Sequence, residues 1–393
     1  ADLLGRYTDM PVVQVEDEMP VEADHVYIIP PDRYLMISEG ILRLTRPTER
    51  RGMRMPIDFF LISLAEDLRE RAIGIILSGT ASDGTLGIKA VKAQGGVTMV
   101  QDPKTAQYDG MPRSAMATGM VDYVLPVDQM PDTLVRYVQH FYVNGGAKVG
   151  SEIEKAPDHL ETIARMIRDQ TRLDLQNYKK STVIRRIERR MGIHQVQEIS
   201  QYVQLLMQNP SEVIALFKDL LINITNFFRE PDAFACVEEL VIPDLVRGGS
   251  SQRPIRVWIP GCSTGEEPYS VAMLLMEQLE KDRRSRSVQI FATDIDEEAL
   301  ETARAGTYPV SIAADITPDR LQKFFAKHET GYQISKRLRE AVVFAPQNLI
   351  ADPPFSKMDL ILCRNLLIYL EPQVQNKVIA LLHFALNPGG YLF

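Results

Sequence analysis

Several residue types and patterns are scarce in this 393-residue sequence. The three cysteines are odd in number and widely spaced, which argues against a disulfide framework and favours a reducing compartment. The six histidines stand at no metal-ligand spacing, so we expect no metal. No apolar run approaches the ~20 residues of a membrane-spanning helix. The net charge of −8 argues against general nucleic-acid binding. Together these absences predict a cytoplasmic protein.

What is present is typical of a globular protein. Apolar residues make up 45% and charged residues 24% of the sequence, which argues against disorder over most of the length. The length predicts two or three domains. The sequence begins with Ala1 and ends at Phe393 in a strand-like pattern. We therefore expect a fragment of a longer chain, truncated at both ends.

The chain divides into three regions of different periodicity. Residues 1–142 alternate short apolar strands with helical segments, and residues 73–77 are apolar on both faces, as in a central parallel strand. A glycine-rich stretch predicts a linker over 143–155. Residues 156–237 are helical, and residues 238–393 alternate again. The strands predicted outside the helical region are 26–29, 73–77, 96–101, 255–259, 288–292 and 358–363.

A turn at residues 79–84 follows the strand at 73–77 and contains Asp83. Ligands and catalytic groups gather at the carboxyl ends of parallel strands, so Asp83 is a candidate site residue. Aspartate is also a favoured N-cap, and the residues alone favour a cap of the following helix.

Residues 1–135 resemble the carboxyl-terminal two-thirds of the chemotaxis receptor methylesterase (CheB) catalytic domain. The matching motifs are H-V-Y-I-I-P-P at 25–31, P-I-D-F-F at 56–60, L-S-G-T-A-S-D-G at 77–84, Q-D-P at 101–103 and Y-D-G-M-P-R-S at 108–114. The resemblance implies that Asp83 is the aspartate of a serine–histidine–aspartate triad, whose serine and histidine would lie upstream of Ala1. Because a triad needs its nucleophile and base, we expect no ester hydrolysis by this chain.

The stretch K-K-S-T-V-I-R-R-I-E-R-R at 179–190 predicts an amphipathic helix. Its apolar face would carry Val183, Ile184, Ile187 and Met191. The opposite, outward face would carry the arginines Arg185, Arg186, Arg189 and Arg190. Such a stripe is either a solvated charged surface or a docking site for an acidic partner, since like charges at i,i+4 repel. The residues alone leave both interpretations open.

In the third region, a glycine-rich turn at 261–265 joins a strand to a helix and is followed by Glu266 and Glu267. The glutamates would repel a pyrophosphate and suit a ligand with cationic groups, or they simply complement the helix dipole. The second strand ends in Asp294 and Asp296. An acid at this position can accept ribose hydroxyls, and helix capping is the alternative.

Two further segments point at the same sheet edge. Asn223, Thr225 and Arg229 are polar residues among apolar ones and predict a lid or wall. The strand at 358–363 delivers Arg364 and Asn365, and Tyr369 one helical turn later can face the same cleft. A turn role for Asn365 and an ordinary half-buried position for Tyr369 stay open.

Residues 156–393 resemble the chemotaxis receptor methyltransferase (CheR) family, through T-N-F-F-R-E at 225–230, G-C-S-T-G-E-E-P-Y-S at 261–270, A-T-D-I-D at 292–296 and C-R-N-L-L-I-Y at 363–369. The resemblance implies transfer of a methyl group from S-adenosylmethionine to chemoreceptor glutamates. It implies the cofactor contacts Asn223, Thr225, Arg229, Glu267, Asp294, Asn348, Leu349, Arg364 and Asn365. Arg229 and Tyr369 would lie near the methyl group.

The resemblance also implies that the basic helix docks on glutamate-rich receptor helices, through Lys179, Lys180, Arg185, Arg186, Arg189 and Arg190. It further implies an antiparallel β insertion at about 308–343. The short hairpin at 327–333 favours independence from a receptor's carboxyl-terminal pentapeptide.

The expected fold is thus α/β: a partial Rossmann-like parallel-sheet domain, a small helical domain, and a Rossmann-like methyltransferase domain with this insertion. We expect a protein-glutamate O-methyltransferase recruited to receptor arrays. The alternatives are a fragment of a bifunctional methylesterase/methyltransferase and a receptor-docking scaffold without catalysis.

Overall fold

The computed structural model describes residues 2–47, 54–139, 153–154, 156–221, 225–248, 253–328 and 331–393. The chain forms two compact units: Ala1–Ala147 with Met191–Gln197, and Lys148–Arg190 with Glu198–Phe393. Of the predicted linker at 143–155, only residues 153–154 lie within the described ranges. None of the helices in these ranges combines the length and apolar character needed to cross a membrane.

Residues 2–47 and 54–139 of the first unit form three small sheets and four helices. Its strands are β1 (Val12–Gln14), β2 (Met19–Pro20), β3 (Val26–Ile28), β4 (Tyr34–Ser38), β5 (Ile41–Thr45), β6 (Ile73–Ile76), β7 (Val97–Gln101) and β8 (Tyr123–Leu125). Its helices are α1 (Pro56–Leu68), α2 (Thr85–Ala93), α3 (Gly110–Met116) and α4 (Met130–Gln139), with 3₁₀ turns at Leu4–Arg6, Arg69–Arg71 and Val127–Gln129. Strands β1 and β3 pair in parallel, and β2, β5 and β4 form an antiparallel ladder.

The predicted strand–helix–strand unit is confirmed, because β6 and β7 are parallel and α2 connects them. The prediction that residues 73–77 form a central strand is wrong. The order is β6-β7-β8, so β7 is the middle strand and all of its residues are buried. Strand β6 pairs only with β7 among the described strands, and Ile75 is 37% exposed. An apolar run shows that a strand favours burial, but it does not show which neighbours the strand has.

The antiparallel ladder was not predicted from the pattern. Strands β4 and β5 are joined by Glu39 and Gly40, which both have positive φ values of 53° and 73°. Left-handed backbone at both central positions suits a two-residue hairpin. The Asp67 carboxylate accepts hydrogen bonds from both turn amides and holds the turn against α1. A glutamate at a left-handed position is an uncommon turn residue, which is why the turn was missed.

The helical region belongs to the second unit apart from Met191–Gln197, and its described residues form helices and no strand, as predicted. Its helices are α5 (Pro157–Thr171), α6 (Lys180–Ile193), α7 (Ile199–Gln208), α8 (Pro210–Leu221), α9 (Pro231–Cys236) and α10 (Ile242–Arg247), with a 3₁₀ turn at Leu175–Asn177 and a π-helical turn at Val237–Val241. Helix α6 is the predicted basic helix. Its apolar residues are buried as the periodicity indicated: Val183, Ile184, Ile187 and Met191.

A five-stranded parallel sheet forms the core of the rest of the second unit, in the order β14-β10-β9-β15-β16. The strands are β9 (Ile255–Pro260), β10 (Val288–Asp294), β14 (Val342–Pro346), β15 (Met358–Ile361) and β16 (Leu386–Leu392). The helices are α11 (Glu266–Lys281), α12 (Glu297–Ala305), α13 (Pro318–Phe324), α14 (Lys336–Ala341) and α15 (Pro372–Ala385), with 3₁₀ turns at Val310–Ala314 and Leu367–Tyr369. Trp258 in the central strand β9 is fully buried.

The antiparallel insertion lies where it was predicted, between β10 and β14. It consists of β11 (Thr307–Pro309), β12 (Phe325–His328) and β13 (Gly331–Ile334) in the order β11-β13-β12. Residues 329–330 of the predicted hairpin turn lie outside the described residues. The expected α/β class, with a parallel sheet, a helical region and a Rossmann-like sheet carrying this insertion, is confirmed.

Candidate active site

A cavity lies at the carboxyl ends of the central strands β9, β10 and β15. It is lined by all of the predicted cofactor and catalytic residues of this unit that the structure describes: Thr225, Arg229, Glu267, Asp294, Asn348, Leu349, Arg364, Asn365 and Tyr369. Asn223 falls within residues 222–224, outside the described ranges. Motifs separated by more than a hundred residues in sequence thus meet at one sheet edge, as expected for an open parallel sheet.

The turn after β9 is held in a left-handed backbone conformation. Gly261 and Gly265 have φ values of 74° and 93°, and Ser263 between them has a φ of 47°. A Cβ atom at Gly265 would lie 2.8 Å from the Cβ of Ala303, so a side chain there would clash with α12. Left-handed φ and this close approach explain why the turn requires glycine at position 265.

The two aspartates after β10 have different roles. Asp296 is the N-cap of α12, and its carboxylate accepts hydrogen bonds from the amides of Glu298 and Ala299. Asp294 instead lines the cavity, where its carboxylate accepts from the Ser263 amide at 2.7 Å and the Asp296 amide at 3.0 Å. Burial raises the pKa of Asp294, although these hydrogen bonds oppose the rise. The capping alternative is therefore correct for Asp296 only.

The two glutamates at the start of α11 also differ. Glu266 is buried and accepts a hydrogen bond from the Thr264 hydroxyl, so it belongs to the structure of the turn. Glu267 lines the cavity, and its carboxylate pairs with the Arg364 guanidinium at 2.8 Å. Burial raises the pKa of Glu267, and the positive charge of Arg364 opposes that rise.

Arg364 connects several parts of the cavity wall. Besides Glu267, its guanidinium donates to the backbone carbonyl of Arg229 at 2.9 Å and lies 3.1 Å from a Glu230 carboxylate oxygen. The amide of Asn365 donates to Glu230 at 3.3 Å. The strand β15 and the segment containing Arg229 are therefore held together by one arginine with a largely buried side chain.

Aromatic packing fixes the backbone around Arg229. Phe227 is 1% exposed and packs edge-on against Tyr308 and Phe325. The Arg320 guanidinium lies over the ring of Phe228, with its central carbon Cζ 4.7 Å from the ring centroid. Both neighbours of Arg229, Phe228 and Glu230, have positive φ values of 51° and 61°. This conformation is costly for residues other than glycine, and the anchored rings provide the packing that sustains it.

Tyr369 belongs to the 3₁₀ turn Leu367–Tyr369 and lines the same cavity as Asn365, as predicted. The Gln375 side chain donates to the carbonyls of Leu367 and Leu370 and so fixes both ends of this turn. Asn365 itself has a φ of 55°, which confirms that it is also a turn residue.

Other residues of the cavity wall were not identified from the sequence. They include Tyr178, Leu221, Cys262, Ser263, Gln347 and Leu366. Cys262 and Ser263 lie inside a motif that was recognised, so their position could have drawn attention to them. Tyr178 and Leu221 come from the helical region, and no local pattern indicates that they approach the sheet edge.

The prediction that four arginines of α6 face outward is wrong for two of them. Arg189 and Arg190 are buried, with exposed fractions of 0% and 8%. Arg189 pairs with Asp219 at 2.5 Å, and Arg190 donates to Glu212 at 2.8 Å. Their partners are on α8, which the helical periodicity of α6 could not reveal. Arg185 and Lys180 are exposed, and Arg186 and Lys179 are half-buried.

Asp83 in the first unit caps a different helix from the one predicted. The N-cap of α2 is Gly84, which has no side chain that could cap the helix. The Asp83 carboxylate accepts hydrogen bonds from the amides of Ile57 and Asp58, at 3.1 and 2.9 Å, in the first turn of α1. The prediction of a helix cap is correct in kind, but the capped helix lies upstream in the sequence.

The charges in the cavity suit a zwitterionic nucleoside ligand. Glu267 can accept hydrogen bonds from an ammonium group, and Arg229 and Arg364 can meet a carboxylate. Asp294, at the end of the second strand, is in the position that binds ribose hydroxyls in related sheet topologies. The donor and acceptor set therefore fits S-adenosylmethionine, the cofactor expected from the sequence.

Three segments of the chain match models of known protein families. Residues 223–393 match the family model "CheR methyltransferase, SAM binding domain", and residues 158–221 match "CheR methyltransferase, all-alpha domain". Residues 1–134 match "CheB methylesterase".

Individual relatives cover the chain to different extents. An "Uncharacterized 104.1 kDa protein in hypE 3′region" of Rhodobacter capsulatus is 41% identical over 100% of this chain, which spans 43% of that protein. The chemotaxis protein methyltransferase of Escherichia coli is 34% identical over 60% of this chain and 82% of that protein. The Thermotoga maritima CheB methylesterase catalytic domain is 32% identical over 34% of this chain and 74% of that chain, with a TM-score of 0.32. The chain therefore belongs to the CheR methyltransferase family and carries a CheB methylesterase segment ahead of its CheR segment.

Proposed function

We propose that this chain is a cytoplasmic S-adenosylmethionine-dependent protein-glutamate O-methyltransferase that acts on chemoreceptors. One observation carries the proposal: Glu267, Asp294, Arg229, Arg364 and Tyr369 line a single cavity at the carboxyl edge of the sheet. The acids suit the ammonium and ribose of the cofactor, and the arginines suit carboxylates.

When bound, S-adenosylmethionine supplies an electrophilic methyl group on a sulfonium sulfur. The substrate glutamate needs no strong base to attack it, because a free glutamate side chain has a pKa of about 4.3 and is ionised near neutral pH. The new bond joins the methyl carbon to a carboxylate oxygen, and the cofactor retains the electron pair of the broken carbon–sulfur bond.

The chain's own residues then have to hold the carboxylate in position. The Arg229 side chain is 33% exposed and lines the cavity, so it can meet an incoming carboxylate. Tyr369 lines the same cavity and can donate a hydrogen bond from its hydroxyl. Positioning of this kind can supply several kcal/mol of the barrier, of the order of 7–11 in the best-oriented cases.

The receptor partner would be recognised by charge. Lys179, Lys180, Arg185 and Arg186 remain candidates for a docking surface, whereas the buried Arg189 and Arg190 do not. Receptor methylation helices are rich in glutamate, and complementary charge accelerates encounter between the partners. Docking would bring the chain to receptor arrays.

The test is isothermal titration of the chain with S-adenosylmethionine, followed by methyl transfer to a receptor fragment. We expect saturable binding that is lost in Asp294→Ala, with Asp359→Ala as a control for an aspartate outside the cavity. With S-adenosylmethionine that carries a labelled methyl group, the label should be found in glutamyl methyl esters of the receptor fragment, which base hydrolyses. Receptor binding without cofactor binding would instead support the non-catalytic scaffold.

A further inference from the structure

Tyr178 enters the cavity from the helical region. It follows the 3₁₀ turn Leu175–Asn177 and precedes α6, yet it lines the same cavity as Asp294. Its side chain is buried, with a relative exposure of 9%. Among the residues that the structure describes, the Tyr178 hydroxyl has no hydrogen-bond partner. A tyrosine that lines a cavity and whose hydroxyl has no protein partner can donate a hydrogen bond to an acceptor on a bound ligand.

Backbone hydrogen bonds hold Tyr178 in this position. Tyr178 and Leu370 form an antiparallel bridge, and the Lys179 amide donates to the Tyr369 carbonyl at 2.9 Å. The Glu371 amide donates to the Asn177 carbonyl at 3.0 Å. Residues 177–179 are therefore fixed against residues 369–371, which include the proposed catalytic Tyr369. A side chain on such a fixed backbone is preorganised for a ligand.

The Lys180 amide adds one more bond to this arrangement, because it donates to the Glu371 carboxylate at 3.3 Å. Lys180 is the first residue of the basic helix α6. The bridge thus connects the start of α6 directly to the cavity wall.

The electrostatics make the Tyr178 hydroxyl a donor. Burial raises the pKa of Tyr178 above its ordinary value, and the negative charge of Asp294 adds a smaller rise. The hydroxyl therefore stays protonated at every physiological pH. Since Asp294 is the proposed ribose ligand, an acceptor within reach of Tyr178 belongs to the nucleoside end of the cofactor rather than to its amino-acid end.

We propose that Tyr178 is a cofactor-binding residue whose hydroxyl donates a hydrogen bond to the nucleoside part of S-adenosylmethionine, so that the helical region completes the cofactor site. This inference rests on the proposed function. It adds a cofactor contact outside the recognised motifs and predicts that cofactor binding depends on the bridge between residues 177–180 and 369–371.

The test measures binding of two ligands by isothermal titration: S-adenosylhomocysteine and 5′-methylthioadenosine, which lacks the amino-acid end. Tyr178→Phe removes only the hydroxyl. We expect it to raise the dissociation constants of both ligands by the same factor, about 3- to 10-fold, because one hydrogen bond is lost. Tyr391→Phe is the matched control, because its hydroxyl bonds Asp244 outside the cavity. It should bind both ligands like the wild type.

A second variant separates the two ends of the ligand. Glu267→Gln should weaken S-adenosylhomocysteine and leave 5′-methylthioadenosine unchanged, since only the former has an ammonium group. Thermal unfolding without ligand shows whether each variant is folded. Tyr178→Leu is a second variant that lacks the hydroxyl, and it should also weaken the binding of both ligands.

The outcomes distinguish the two proposals. If folded Tyr178→Phe binds both ligands as tightly as the wild type, the role of Tyr178 is refuted and the methyltransferase proposal stands. Weakening of S-adenosylhomocysteine alone would also refute it, because the hydroxyl would then serve the amino-acid end. If the wild type binds neither ligand, both proposals fail together.

Discussion

Asp58 and Asp83 cap each other's helices. Asp83 lies just before α2, and its carboxylate accepts the amide of Asp58 at 2.9 Å in the first turn of α1. Asp58 in turn accepts the amide of Gly87 at 2.7 Å in the first turn of α2. Each helix therefore obtains its acidic cap from the other, which aligns the two positive helix ends on one pair of carboxylates.

We predict that Asp83→Ala destabilises the first unit. The substitution leaves the amides of Ile57 and Asp58 without their acceptor, and the loss of a cap typically costs about 0.5–2 kcal/mol. Hydrogen exchange at the start of α1 should accelerate in Asp83→Ala. Binding of S-adenosylmethionine should not change, because the residues of the cavity belong to the second unit. Unaltered exchange would contradict the capping role.

The same variant tests the expected lack of methylesterase activity. Wild-type chain incubated with methylated receptor should release no more methanol than the buffer does. Methanol release by the wild type that disappears in Asp83→Ala would show that Asp83 acts in a functional triad and that the expectation is wrong.

A second prediction concerns pH. Burial, with a smaller contribution from the Asp83 charge, raises the pKa of Asp58 from 3.8 to about 7. The folded state holds this proton more tightly than the unfolded state does. The contribution of Asp58 to the free energy of unfolding is therefore greatest below about pH 4. It falls as the pH rises towards 7 and then levels off.

Asp58→Asn should remove most of this slope, since an amide can accept the Gly87 bond without ionising. The measurement is urea denaturation of the first unit between pH 4 and 8. The raised pKa of Asp83 contributes a residual slope of the same sign in both proteins. Equal slopes in wild type and variant would contradict the prediction.

A third prediction separates buried from exposed arginines on α6. Arg190→Ala leaves the Glu212 carboxylate buried beside the hydroxyl of Tyr202, and breaking a buried pair in this way costs about 3–5 kcal/mol. Arg185→Ala, at an exposed position on the same helix, should destabilise the protein less than Arg190→Ala does, because solvent screens the charge of Arg185.

Receptor binding should show the opposite ranking. We expect Arg185→Glu to weaken receptor binding, increasingly so at low ionic strength, because it reverses a surface charge. Chemical denaturation and receptor pull-down on the same protein samples provide both readouts. An Arg190→Ala variant as stable as the wild type would refute the buried pair as a stabilising element.

A fourth prediction addresses methyl transfer. Arg229→Ala should reduce the single-turnover rate of glutamate methylation by about 100-fold, as for the loss of one charged group that stabilises the reacting carboxylate. Tyr369→Phe should have a smaller effect, because it removes one hydrogen bond of about 0.5–1.5 kcal/mol. Rates unchanged in both variants would remove these residues from the chemistry.

Local sequence patterns predicted much of the active site. The strand–turn–helix order around residues 261–265 and the acid after the second strand depend on neighbouring residues only. In a parallel sheet, residues that follow the strands must meet at one edge, and Glu267, Asp294 and Arg364 do so. The order of segments was therefore sufficient to bring these residues together.

Helical periodicity alone was not sufficient for α6. It correctly placed Ile187 and Arg189 on different faces of the helix. It could not show that Asp219 of α8 would pair with Arg189 and bury the arginine face there. A face rich in arginine reads as solvent-exposed until an acidic partner from another helix is known, because only pairing makes burial of charge tolerable.

The sequence by itself determined the fold class, the two family segments and the motifs at the sheet edge, because these depend on local periodicity and on residues close together in the chain. Only the tertiary structure decided that Asp83 caps α1, that Arg189 and Arg190 are buried, and that Tyr178 reaches the cavity. Each of these depends on a partner from a separate element. Hydrogen bonds and ion pairs between distant segments are set by how the elements pack, and no local pattern records that packing.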